Sequence, residues 1–321
     1  MEIALVCTFQ RCHCLSTAKG YPKRVKMNVK IDEALLVQII GKKLKRRMTI
    51  RTISEVGGGC INSCFKITVN NGQSFFVKAN SQSAFPSLLE KEQKGLAFIS
   101  KQNAIRVPEV IDYHIKDDGQ FLILEWIEPG DKNDSFWKMF GQQLAALHKI
   151  RSRHHGFAED NYMGALQQSN VLSESWTDFF THQRLEIQVQ LAFKKGFLSP
   201  HHLNLFERLY KKLDSIFNEE DPSLLHGDLW SGNFIAAVNA EPVLIDPAVY
   251  FGHRNMDLGM TTLFGGFDQS FYDSYQYHFP LASNYRDQWA VCNLYPLLIH
   301  LNLFGAGYRH DIEATLKKFA G

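Results

Sequence analysis

Between His226 and Asp246 the chain reads His226-Gly227-Asp228-Leu229-Trp230-Ser231-Gly232-Asn233, then an apolar run, then Ile245-Asp246. Two acids and an amide in this order, each acid preceded by an apolar segment, restrict the fold more than any other part of the sequence. Asp228 is spaced to accept the proton of an attacking hydroxyl. The Asn233 amide oxygen and the Asp246 carboxylate are spaced to converge on one hard divalent cation. Gly227 and Gly232 permit tight turns, and residues 234–237 and 243–245 read as two short strands joined by Asn239-Ala240-Glu241-Pro242. The spacing H-x-D-L-x-x-x-N followed by a second aspartate is a phosphoryl-transfer template. Ordinary loop and cap residues, with His226 bonded to backbone, would explain any one of these positions but not their succession.

The first half of the chain supplies what such a template needs upstream. From Met48 the period is two, and Val56 leads into Gly57-Gly58-Gly59-Cys60-Ile61-Asn62. A strand resumes over residues 64–69, turns at Asn70-Asn71-Gly72, and continues over 74–78 to Lys78. Side-chain-free backbone at Gly58 and Gly59, with Cys60, Ile61 and Asn62 following, can approach phosphates, and Lys78 can reach them as a point charge. A plain β-bulge is the competing explanation of the glycines. Helical spacing over residues 85–99 puts Leu88, Leu89, Glu92, Leu96 and Ile99 on one face. A carboxylate among those apolar neighbours needs a cation, for which Lys78 is the candidate, with Glu90 as the rival partner. Residues 107–111 and 121–124 read as strands around the turn Asp117-Asp118-Gly119. The pattern breaks at residues 125–130, where backbone near Glu125 and Ile127 is the place expected to meet a purine edge.

At 321 residues and 45% hydrophobic, the chain is long for one compact unit, so two lobes are expected. We expect residues 1–26 to be a disordered extension ahead of a natural start near Met27, residues 27–125 a nucleotide-binding lobe, and 126–321 a catalytic and substrate lobe. Residues 1–26 lack the order of charge and apolar core of a signal peptide. The net charge of +2 speaks against a nucleic-acid partner, and no apolar run is long enough to suggest a membrane span. Lys and Arg number 22 against 14 Asp and Glu in residues 1–150, and 13 against 19 afterwards. The acidic second half suits a metal and an amine-bearing substrate, or simply a solvated surface. Six cysteines without framework spacing indicate a reducing compartment, and the cytoplasm is expected.

Beyond residue 130 the pattern is helical. Phe136, Phe140, Leu144 and Leu147 form a stripe closed by His148, and residues 284–304 read as one long apolar helix carrying His300. His148 and Asp257 read as structural residues, a hydrogen-bonding histidine and a helix anchor.

Taken together, Gly58 to Asn62, Phe76-Val77-Lys78-Ala79-Asn80, His226 to Asn233, Ile245-Asp246-Pro247-Ala248, and Tyr250-Phe251-Gly252-His253 to Phe264-Gly265-Gly266-Phe267 resemble the fructosamine/ketosamine-3-kinase family over roughly residues 50–310. The Trp230 form of the loop and the Phe-Gly-Gly-Phe segment are more specific than the general template. The resemblance implies an α+β, protein-kinase-like bilobal fold with a small antiparallel-sheet N-lobe bearing one helix and a larger, mainly helical C-lobe. It also implies phosphorylation of the sugar 3-hydroxyl of ketosamines by ATP with Mg²⁺. Carried over, Lys78 and Glu92 would be the nucleotide ion pair, Asp228 the base, Asn233 and Asp246 the metal ligands, and Trp230 and His300 would face the sugar. Core packing is the competing role for the last two.

Cys60, a thiol among glycines beside phosphate-binding backbone, is expected to be open to oxidation, so the protein would be a monomer or a dimer linked through Cys60. Two other functions compete. An aminoglycoside- or choline-type phosphotransferase would use the same template on another acceptor, and a pseudokinase would bind nucleotide without turnover. Lys78, Asp228, Asn233 and Asp246 occurring together speak against the second.

Overall fold

The computed structural model describes residues 31–57 and 61–321; residues 1–30 and Gly58, Gly59 and Cys60 lie outside the described residues, and with them the expected N-terminal extension and the reactive thiol. Backbone contacts divide the chain into two compact units. The first takes the described residues up to Lys132 together with Gly232–Asp246, and the second Asn133–Ser231 together with Pro247–Gly321.

In the first unit, helix α1 (Glu33–Leu44) starts where the Asp32 carboxylate accepts the Leu35 N–H at 3.0 Å, satisfying one of the unpaired N-terminal donors. Its buried stripe, Leu36, Ile39 and Ile40, packs on Val69, Phe75, Val77 and Ile123 of the sheet. Each such side chain contributes about 1.5–3 kcal/mol on full burial. The sheet is formed by β1 (Ile50–Glu55), β2 (Ser63–Val69), β3 (Ser74–Ser81), β4 (Val110–Lys116) and β5 (Gly119–Glu125), in the order β1-β2-β3-β5-β4 with every pair antiparallel. Helix α2 (Leu88–Gln102) lies between β3 and β4 in sequence and buries Leu88, Leu89, Glu92, Leu96 and Ile99, the stripe its spacing predicts.

Two details of this sheet differ from the sequence expectation. Strand β3 runs three residues past Lys78, because Asn80 and Ser81, polar and buried, find partners in Asn62 and Asp118. Strand β4 starts at Val110 rather than Val107, and Pro108, which has no N–H to donate, precedes it.

The second unit is mainly helical. The chain enters it through α3 (Asp134–His148), the short hairpin β6 (Asn161–Met163) and β7 (Leu166–Gln168), and the turn of helix α4 (Trp176–Phe179). A π-helical stretch, Phe180–Leu185, leads into α5 (Glu186–Lys194), then α6 (Pro200–Tyr210), α7 (Leu213–Ile216) and β8 (Ser223–Leu225). The chain returns to the first unit for the hairpin of β9 (Phe234–Ala236) and β10 (Pro242–Leu244). It re-enters the second through β11 (Tyr250–Gly252), which pairs with β8, and ends with α8 (Asn255–Met260), α9 (Gln269–His278), α10 (Tyr285–Cys292), α11 (Leu294–Phe304) and α12 (Arg309–Ala320).

The core of this unit joins Trp176, Phe179 and Phe180 to Tyr250, Tyr295 and Leu298. Arg184, fully buried in the π-helical stretch, lies over the faces of Phe179 and Tyr250 and donates to Asn170 Oδ1 at 2.7 Å and to the Ser169 carbonyl. The apolar run 284–304 forms two helices rather than one. Pro296 cannot donate to the carbonyl of Cys292, so the hydrogen-bond ladder breaks at Asn293. Among the described residues no helix is long and apolar enough to cross a membrane.

Candidate active site

In the first unit three charged side chains meet. Antiparallel pairing sets Lys78 opposite Cys64 on β2 and Leu122 on β5, and its side chain is 3% exposed. Nζ donates to Glu92 Oε1 at 2.7 Å and to Asp246 Oδ1. Burial works against the Lys78 charge, but Asp246 and then Glu92 outweigh it and hold the ammonium well above the ordinary lysine range. Burial pushes the Glu92 carboxyl up to about 7; Lys78 pulls it back and Asp246 adds to the push. Glu90, the rival partner, instead pairs with Lys94 one turn along the same helix.

The hairpin of β9 and β10 explains how Asn233 and Asp246 come together. Ile245 N–H donates to the Asn233 carbonyl at 3.0 Å, extending the ladder by one rung, so the two residues flank the open end of the hairpin. Asp246 adopts φ +57°, a left-handed conformation that aspartate tolerates better than most residues. Among the described residues no cluster of three or more His, Cys, Asp or Glu is built to hold a metal alone. One carboxylate and one amide fit Mg²⁺, which usually takes one or two protein ligands and fills its octahedron with phosphate oxygens and water.

Asn62 Oδ1 accepts from Asn80 Nδ2 at 2.6 Å, which ties the end of the glycine loop to β3. Gly58, Gly59 and Cys60 themselves lie outside the described residues. Glu125 holds Arg106 at 2.5 Å, and Arg106 also holds Glu241 at 2.6 Å. The Glu125 N–H is bonded to the Glu109 carbonyl. Ile127 is buried with Ala237 and Val243, and its peptide group makes no hydrogen bond among the described residues.

In the second unit the loop from His226 is held from behind. Asp257 Oδ2 accepts the His226 N–H at 2.7 Å and Oδ1 the Gly227 N–H at 2.8 Å. His148 Nε2 lies 3.1 Å from Oδ2, and its Nδ1 lies 2.8 Å from the Tyr275 hydroxyl. Both Asp257 and His148 are fully buried, and burial keeps His148 below the ordinary histidine range despite its carboxylate. The His226 carbonyl accepts from Ala248 N–H at 2.8 Å, and His226 Nδ1 accepts the Asp228 N–H at 3.3 Å. Asp228 is thus displayed on a loop whose backbone is pinned at three successive residues.

The sequence gives Asp257 and His148 structural roles, and such roles they have; that they secure the loop of Asp228 has no local signature. The nearest thing to a signal is a lone acid in a short apolar helix.

Trp230 meets Phe264 edge to face at 6.0 Å, and Phe264 meets His300 at 5.0 Å, so the two residues expected at the sugar share one aromatic neighbour. His300 donates Nδ1–H to the Pro296 carbonyl at 2.7 Å, which leaves Nε2 as an acceptor. While it stays neutral the ring can only accept from a hydroxyl, and burial favours the neutral form. Phe264, which brings the two together, opens the Phe-Gly-Gly-Phe segment that carries the resemblance, but its pattern alone gives it no role of its own.

The fructosamine kinase family profile matches residues 33–320. A probable ketoamine kinase of Synechocystis sp. is 36% identical over 88% of this chain and 95% of its own length. A chloroplastic protein-ribulosamine 3-kinase of Oryza sativa subsp. japonica is 37% identical over 84% of this chain and 79% of its own. A crystal structure from Thermobifida fusca, of a protein named as a candidate fructosamine-3-kinase, superposes with a TM-score of 0.79 at 30% identity, covering 88% of this chain and 97% of that one. The choline kinase LicA of Streptococcus pneumoniae shares the fold alone, with a TM-score of 0.60 at 13% identity. The five-stranded antiparallel sheet and the helical second unit are the α+β arrangement of protein-kinase-like phosphotransferases. On the profile, which spans nearly all of the described residues, and on relatives more than a third identical, the chain belongs to the fructosamine kinase family.

Proposed function

We propose that the protein transfers the γ-phosphoryl group of ATP, with Mg²⁺, to the sugar 3-hydroxyl of ketosamines of the fructosamine or ribulosamine type. The phosphorylated adduct would then decompose and free the amine, so the activity repairs glycated amines. One observation carries this reading: the buried Lys78 held by both Glu92 and Asp246, in a chain of the fructosamine kinase family.

Each residue then has a physical task. Lys78, kept charged by its two carboxylates, presents a fixed positive charge to the nucleotide phosphates, and Glu92 prevents it from swinging away. Backbone from Gly58 to Asn62 covers those phosphates, and the open peptide of Ile127, next to Glu125, meets the purine edge. Asn233 and Asp246 hold the cation, which when bound offsets the negative charge of the phosphates. Asp228, carried on its pinned loop, accepts the proton of the 3-hydroxyl. Trp230 offers an indole face to the apolar side of the sugar, and Nε2 of His300 accepts from one of its hydroxyls. The first unit, which includes Gly232–Asp246, serves the nucleotide and the cation, and the second carries the base and the sugar-facing residues. The cytoplasm is the setting we assign, since six cysteines without framework spacing suit a reducing compartment.

The deciding experiment measures ATP consumption and phosphorylated product with fructosyl-, ribulosyl- and erythrulosyl-lysine, with kanamycin and choline as controls. Phosphate on the ketosamine sugar is the expected result. Transfer to kanamycin or choline alone, or nucleotide binding without transfer, would overturn the reading.

A further inference from the structure

Two adjoining cavities in the second unit, of about 310 and 200 Å³, share Gln269, Tyr272, Tyr285 and Trp289 as walls and so form one groove. None of these four residues belongs to the machinery described above. The polar ends of two of the rings are engaged inside the protein: Trp289 Nε1 donates to Asn255 Oδ1 at 2.9 Å, and the Tyr272 hydroxyl lies 2.9 Å from Thr261 Oγ1. The rings brace one another, with Tyr285 and Trp289 edge to face at 4.7 Å and Tyr272 and Trp289 at 5.7 Å. These half-buried aromatic faces are fixed in place, and the groove around them also carries polar side chains: Gln269, Asp273 and Gln276 in the smaller cavity, Thr261 and Thr262 in the larger.

Arg286 lines the larger cavity and is exposed. Its Nε donates to the Tyr285 hydroxyl at 3.2 Å, and it has no carboxylate partner among the described residues; the adjacent Asp287 is taken by Lys318 at 2.6 Å. An exposed, unpaired guanidinium beside aromatic faces is suited to a carboxylate.

The groove also adjoins the loop of Asp228. Gly265 and Phe267 line it, while Gly266 between them touches Ser231 so closely that a Cβ would lie 2.6 Å from the serine Cβ. Phe264, next in line, is the residue that meets Trp230 and His300. Residues 264–267 therefore touch the catalytic loop and wall the groove at once.

We propose that this groove binds the polypeptide carrying the ketosamine, with an apolar or aromatic side chain of the carrier against Tyr272, Tyr285 and Trp289 and a carboxylate of the carrier on Arg286. The inference rests on the ketosamine-kinase reading and deepens it: this groove is where the carrier of a ketosamine would be recognised, and a free sugar-amine leaves it empty.

The test compares fructosyl- and ribulosyl-propylamine with a short peptide that carries the same adduct on lysine, flanked by phenylalanine and aspartate. In the unaltered protein the peptide should show a KM about tenfold lower with similar kcat. Arg286→Gln should raise the peptide KM about fivefold and leave the propylamine KM unchanged. Trp289→Leu should do the same, and if it does not fold, Arg286→Gln decides. Equal KM values for peptide and propylamine in the unaltered protein, or an Arg286→Gln change that affects both alike, would overturn the proposal. If neither substrate is phosphorylated, the ketosamine-kinase reading fails. The groove is then decided by fluorescence anisotropy with the labelled, unglycated peptide: binding weakened about fivefold by Arg286→Gln upholds it, and equal or absent binding refutes it.

Discussion

A base works only if its carboxylate stays where the hydroxyl will be, and in this chain a second carboxylate does the holding. Asp228→Asn keeps the shape of the side chain and removes its ability to take a proton. Turnover with a ketosamine should fall about 10²–10⁴-fold with the melting temperature unchanged, and near-normal turnover would contradict the assignment. Asp257→Ala should behave differently. It leaves the N–H groups of His226 and Gly227 and one nitrogen of His148 without their acceptor. At about 1–3 kcal/mol per unmade buried bond, a loss of about 3 kcal/mol or more is expected in urea unfolding. The displaced loop should also lower kcat about 10²-fold while the KM for ATP stays within about twofold. Asp228, Asn233 and Asp246 stand out in the sequence because a phosphoryl-transfer template would set their spacing, and the hairpin of β9 and β10 brings the last two to one end. Asp257 was legible only as an anchor, because accepting N–H groups from residues 31 and 30 positions away follows no period that a sequence displays.

Among the elements, the turn at Gly227 shows how tightly the site is built. Its φ is +85°, and a Cβ there would lie 2.1 Å from the Ala248 carbonyl oxygen, a backbone atom that cannot rotate aside. Gly227→Ala should therefore cost about 3 kcal/mol, from the left-handed backbone and the displaced segment before β11, and take activity with it. Gly72, at φ +88° in the β2–β3 turn with open space around it, is the control. There alanine should cost only about 1–2 kcal/mol, and thermal unfolding of the pair of variants measures the difference. The stripe of α2 was legible because one face of that helix is buried, and the hairpin of β9 and β10 because two apolar runs flank a turn. The misread boundaries are those where tertiary contacts override local pattern. Asn80 and Ser81 look like a strand end but are buried and bonded, and the run 284–304 looks continuous but contains a proline that cannot close its turn.

At the scale of the whole molecule the two units carry buried ionisable groups with opposite responses to acid. In the second unit His155 and His253 both pack on the Trp176 ring, at 5.6 and 5.7 Å, and burial pulls each down to about 4 from the usual 6.5. His148 is lowered for the same reason. A histidine with a folded pKa below its unfolded one contributes its full stability above 6.5. It loses that contribution as the pH falls toward 4, because only the unfolded chain takes up the proton. By pH 5 the loss is about 2 kcal/mol for each of His155 and His253, against a typical total of about 5–15 kcal/mol. In the first unit Glu92 acts in the opposite sense: burial raises its carboxyl, so between pH 7 and 5 the folded form takes up the proton in preference and gains stability. Acid should therefore weaken the second unit while sparing the first. Native-state hydrogen exchange at pH 7 and pH 5, corrected for intrinsic rates, should show protection of β11 and α5 falling relative to β2 and β3. Glu92→Gln should remove the compensation in the first unit, so that β2 and β3 no longer gain, while β11 and α5 fall as before. Protection that changes in equal proportion in both units would mean that these histidines are not held neutral by the fold.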